Sequence, residues 1–128
     1  MARKRVSMAK LRRPFELTTT AQAAALASLD DPAEIERRRL FNGLGLRELT
    51  RVLREHDLEP LPDPVANFVC VDLGEDAAPL FERLLMEGVI VRPLAGFGMP
   101  TGLRISVGTD EEIEFLGAAL GRVRQSGG

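Results

Sequence analysis

Cysteine and histidine each occur once in the 128 residues, as Cys70 and His56, and tryptophan and tyrosine do not occur at all. A single cysteine excludes an intramolecular disulfide and any CxxC metal motif. A zinc centre or a Cys-His nucleophile pair would need Cys70 and His56 to converge with distant carboxylates, so no metal site is expected. Without tyrosine, general acid-base work is left to one histidine, two lysines and carboxylates that gather at predicted helix starts and surfaces. No GxGxxG or GxxxxGKS run follows a strand, which removes the nucleotide-binding loops. No stretch approaches the ~18 apolar residues of a membrane span, and the start lacks the apolar core of a secretory signal. A cytoplasmic protein with no membrane partner is therefore expected.

Seventeen basic residues against nineteen acidic ones leave a net charge of -2. Nothing in this balance points to nucleic acid. The exception is local, since residues 1–13 carry six basic side chains and no acid; residues 1–10 read as a flexible, solvated start. The length and the 45% hydrophobic share fit one compact domain, assigned to residues 11–124, with 125–128 as a frayed tail.

The alanine-rich run Ala21 to Leu29 predicts a helix over 20–29, too poor in apolar bulk to bury a face unaided. Asp31 as N-cap and Pro32 at the first helical position start a second helix reaching Asp57. Its Ile35, Phe41, Leu44, Leu49, Val52, Leu53 and His56 share one face, Gly43 and Gly45 weaken it, and Arg37, Arg38 and Arg39 form a solvated face. His56 is expected to face the negative end of that helix. The prolines of 58–64 demote that stretch to an edge segment and turn. Asn67 to Leu73 reads as a continuous apolar strand, central in its sheet, with Cys70 as a buried thiol. A third helix over 76–87 turns Leu80, Phe81, Leu84 and Leu85 inward and stops at Gly88. Val89 to Arg92 and Leu103 to Val107 read as strands of one hairpin, and Thr109-Asp-Glu-Glu112 opens the last helix with a capping box. This order predicts an α+β fold, a small, mainly antiparallel sheet with helices packed on one face.

Arg104 stands out because it lies mid-strand between Leu103 and Ile105 and points to the face opposite theirs. Either it is a solvated arginine on an open strand face, or its planar fork grips a carboxylate or phosphate. Arg92 ends the preceding strand at the mouth of the glycine- and proline-rich loop 93–102, itself either a plain connection or a functional loop. With Asn67, the two arginines would make an anion site and no catalyst.

Four segments, Arg12-Arg-Pro-Phe15, Ala66-Asn-Phe-Val69, Gly88 to Gly98 and Leu103 to Thr109, together resemble the C-terminal small domain of histidinol-phosphate aminotransferases. Those enzymes belong to the fold-type I group dependent on pyridoxal phosphate, and the likeness runs from Leu11 to Val123. The resemblance implies that Arg104 anchors the carboxylate or phosphate tail of the substrate. It also makes Arg92 a second arginine of that site and Asn67 the asparagine of the strand that opens the small domain. In the family, the Schiff-base lysine and most cofactor ligands sit in a large domain. Lys4 and Lys10 are the only lysines, and neither matches that lysine's serine-lysine loop. No catalytic or cofactor-binding residue is carried over, and pyridoxal phosphate is not expected on this chain alone.

The expectation is thus the C-terminal portion of a histidinol-phosphate-type aminotransferase, a truncated or split gene product inactive alone. The reaction implied is amino transfer between glutamate and imidazole-acetol phosphate or an aromatic 2-oxo acid. Expected partners are a small anionic substrate and a lysine-bearing large domain or a second copy in a homodimer. The alternatives are a non-catalytic anion-binding or interaction module, and one half of a split two-chain enzyme.

Overall fold

A computed structural model of the chain describes residues 17–125. The basic start, the Arg12 to Phe15 segment, both lysines and residues 126–128 of the expected tail lie outside the described residues. The chain divides into two compact units between Arg38 and Arg39.

In the first unit, helix α1 (Thr19–Leu29) begins at Thr18, whose hydroxyl accepts the Ala21 N–H at 3.1 Å. None of its residues is buried, as its alanine content implies. Helix α2 (Pro32–Glu55) opens as the sequence predicts, with the Asp31 carboxylate accepting the Glu34 N–H at 3.0 Å. Glu34 also pairs with Arg37 at 2.6 Å and Arg38 at 2.7 Å, so the arginine run is a solvated, ion-paired face.

In the second unit, α2 stops two residues short of Asp57. Asp57 takes φ +53°, and the Leu58 N–H turns back to the Leu53 carbonyl at 2.9 Å, a left-handed helix close. The expected single apolar face is corrected here: Leu49, Val52 and Leu53 are buried, whereas Ile35, Phe41 and Leu44 are exposed. Twenty-four helical residues span about 36 Å, but a five-residue strand spans only about 17 Å. The helix is therefore longer than any strand of the sheet.

Strands β1 (Phe68–Asp72), β2 (Arg92–Pro93) and β3 (Gly102–Ser106) form an antiparallel sheet in the order β1-β3-β2. The central strand is thus β3, not β1. On its outer side β1 meets only the isolated bridge from Pro60 to Val71, which bears out an edge role for 58–64. The expected strand 89–92 is shorter and shifted to Arg92–Pro93. The Val89 N–H closes the preceding helix on the Leu84 carbonyl at 2.9 Å, so the chain reaches β3 only at Arg92.

Helix α3 (Ala78–Met86) buries Leu80 and Leu84, leaves Leu85 exposed, and ends before Gly88 at φ +82°. Helix α4 (Asp110–Gln125) carries the predicted capping box. The Glu112 carboxylate accepts the Thr109 N–H at 2.8 Å, and the Thr109 hydroxyl accepts the Glu112 N–H at 3.3 Å. Gln125, expected in the frayed tail, is its last helical residue. One core joins Val69, Val71, Leu103 and Ile105 of the sheet to Leu49 and Leu53 of α2, Leu84 of α3 and Leu116 and Leu120 of α4. Its helices cover one sheet face, which makes the fold α+β as predicted. A Cβ on Gly117 or Gly121 of α4 would fall 3.9 or 3.6 Å from the His56 ring. His56 therefore packs against α4, where the sequence reading aimed it at a helix end.

Candidate functional site

Strand alternation builds the site. Leu103 and Ile105 are committed to the core, so Arg104 between them must project from the opposite face. In the register, Arg104 stands opposite Cys70 on β1 and opposite Arg92 on β2. Directly opposed residues share a face, so Cys70, Arg104 and Arg92 form one row across the three strands. Cys70 is half-buried in that row, not the core thiol the apolar run suggested, because Val69 and Val71 take the inward positions.

Each arginine of the row meets an aromatic ring. The Arg104 guanidinium carbon lies 5.0 Å from the centroid of the Phe68 ring, and that of Arg92 lies 5.8 Å from Phe97. Phe68 opposes Ser106, two positions along β3, so it is the diagonal neighbour of Arg104 on the same face. Phe97 is presented by the loop, which is wound on its own backbone. The Leu94 N–H reaches the Gly102 carbonyl at 2.9 Å, a 3-10 turn spans Ala95–Phe97, and Gly98 closes it at φ +83°. Neither ring was singled out from the sequence, although alternation from Val69 already places Phe68 opposite the core.

The electrostatics leave the row open to a ligand. The Nε of Arg104 is buried and has no hydrogen-bond partner among the described residues. The acid nearest along β1 on this face, Asp72, is engaged elsewhere: the Thr101 hydroxyl and then the Gly74 N–H hold its carboxyl below the usual range. Asn67, the third predicted site residue, is exposed at the start of β1, where its carbonyl accepts the Val107 N–H at 2.9 Å. The structure brings Arg104 and Arg92 together, but alternation turns Asn67 away from their row. Among the described residues no group of three or more His, Cys, Asp or Glu side chains could hold a metal ion. No helix there is long and apolar enough to cross a membrane.

A three-stranded antiparallel sheet with helices on one face and two arginines on the other makes this an α+β domain with a cationic sheet face. The family model for aminotransferase class I and II matches residues 3–120, and the chain belongs to that family. It is 46% identical over 114 residues to histidinol-phosphate aminotransferase 2 of Methylococcus capsulatus, covering 89% of this chain and 30% of that protein. It is 44% identical to the enzyme of that name in Pseudomonas aeruginosa, covering 89% of this chain and 31% of that protein. The chain thus spans about a third of these relatives' length. A crystal structure from Burkholderia pseudomallei assigned as an aminotransferase superposes with TM-score 0.70 and 27% identity, over 92% of this chain and 36% of that one.

The family's cofactor is pyridoxal phosphate, and the residues in place can be tested against it. Its covalent anchor is a lysine amine, and residues 17–125 contain no lysine. The described residues therefore do not fit the anchoring of the cofactor. What they do fit is an oxyanion: two guanidinium groups on one rigid face, one with an unsatisfied donor.

Proposed function

We propose that this chain supplies the substrate-anion side of a histidinol-phosphate-type aminotransferase. In this reading Arg104, with Arg92 beside it, holds the carboxylate or phosphate tail of a small anionic substrate. The amino group moves between glutamate and imidazole-acetol phosphate or an aromatic 2-oxo acid, in the cytoplasm. The lysine that forms the bond to pyridoxal phosphate comes from a large domain outside these residues, and a second copy of the assembly completes the active dimer. The observation that carries the reading is the Arg104 Nε, buried on the sheet face opposite the core and without a hydrogen-bond partner among the described residues. A guanidinium that no acid among the described residues engages suits a planar oxyanion, to which its fork can donate. Support also comes from Leu40 and Leu44 of α2, large apolar side chains that are exposed.

The chemistry of this chain's own residues is binding and orientation. The guanidinium fork donates to two oxygens of one anion in a plane, which fixes the substrate's tail and hence the direction of its amino-bearing end. No proton transfer is assigned to any described residue. Pyridoxal phosphate added to the purified chain and trapped with borohydride tests the division of labour. Peptide mapping is expected to find only sub-stoichiometric, scattered labelling, with no turnover of glutamate. A single stoichiometric adduct on Lys4 or Lys10 that supports turnover would overturn the reading.

A further inference from the structure

Several helical arginines are held by acids. Arg37 and Arg38 pair with Glu34, Arg54 with Glu59, Arg122 with Glu87 and Arg124 with Asp57. Arg104 belongs with the arginines that no acid among the described residues engages, such as Arg83, which donates to the Val123 carbonyl at 3.3 Å. No carboxylate approaches Arg104 among the described residues; it lies instead over the Phe68 ring at 5.0 Å. A carboxylate partner would fix the guanidinium, but it would also occupy the in-plane donors that an incoming anion needs. An aromatic face attracts the cation and stacks its plane while accepting none of those in-plane hydrogen bonds. The β1–β3 register makes the contact a property of the sheet, since Phe68 and Arg104 are diagonal neighbours on adjacent strands.

We propose that Phe68 is a positioning residue for Arg104, holding the guanidinium flat so that its donors stay free for a carboxylate or phosphate oxyanion. The inference rests on the anion-site reading of Arg104 given above. Phe68 itself touches no ligand. The same arrangement recurs at Arg92, whose cation stands 5.8 Å from Phe97, and among the described residues neither arginine of the row is paired with an acid.

The 128-residue chain, labelled for side-chain arginine resonances and titrated with inorganic phosphate, tests this. The Arg104 Hδ and Hε signals are expected upfield of ordinary arginine values through the Phe68 ring current, and to move with phosphate. Phe68→Leu should abolish the upfield displacement and weaken phosphate binding by about threefold, while Phe68→Tyr retains both. Phe68→Ile, a better strand former, replaces the leucine variant if amide dispersion shows that the latter has not folded. Wild-type protein without the upfield displacement, or unchanged phosphate affinity in the ringless variant, overturns the role of Phe68 while leaving Arg104 as the anion site. If phosphate leaves the Arg104 signals of the wild type unmoved, the anion-site reading falls and takes this inference with it.

Discussion

An alanine at position 45 would place its Cβ 2.4 Å from Cγ1 of Val107, whereas one at position 43 would meet nothing within 4 Å. The two glycines of α2 are therefore not equivalent. Gly43→Ala is expected to stabilise the chain by up to about 1 kcal/mol through helix propensity alone. Gly45→Ala gains the same propensity but forces a stiff, β-branched Val107 off its rotamer, and a net loss of about 1 kcal/mol is expected. Thermal unfolding of the two variants checks the opposite signs. Sequence reading gave both glycines the same cost because propensity is local, whereas the contact that distinguishes them joins residues 62 positions apart. Arg104 was legible for the converse reason. Its placement follows from alternation against its own neighbours Leu103 and Ile105, and needs no knowledge of which strand lies beside it. The rings over the two arginines were not read, since pairing Phe68 with Arg104 requires the register.

At the scale of elements, the start of α2 is held by charge. Hydrogen bonds from Arg37 and then Arg38 hold the Glu34 carboxyl at about 2, below its ordinary 4.5. A carboxyl depressed in the folded state stabilises the helix start above its unfolded pKa, and that contribution is lost as pH falls through its folded one. Helical signal from the first turns of α2 should accordingly decline between pH 4.5 and about 2. Following the Glu34 side-chain carbon by NMR checks this, and Glu34→Gln should remove that part of the acid transition. Added salt should narrow the difference, since these side chains are exposed. The cap signals that place this helix and α4, Asp31-Pro32 and Thr109 to Glu112, were read correctly because capping is decided within four residues. The central strand was misassigned for the opposite reason. A continuous apolar run marks β1 as well packed but does not count its neighbours, and only the pairing shows that β3 has strands on both sides.

Across the whole molecule, the helices of the second unit and one sheet face close a single core, while the other face keeps two arginines without acid partners among the described residues. The α+β architecture was legible from element order. The resemblance carried by Ala66 to Val69, Gly88 to Gly98 and Leu103 to Thr109 agrees with the family that residues 3–120 match. Arg92 is exposed and Arg104 only half-buried, and at such a surface a single ion pair contributes only about 0–1 kcal/mol. Anion binding should therefore be weak and should fall with salt. The most direct test of the central claim is a titration with histidinol phosphate, following backbone amide shifts in the wild-type chain and in Arg104→Ala. Shifts gathered on β1, β2 and β3 in the wild type and lost in the variant are the predicted result. Shifts of equal size in Arg104→Ala, or shifts centred on the basic residues 3–13, would contradict the assignment of Arg104 as the anion-binding residue.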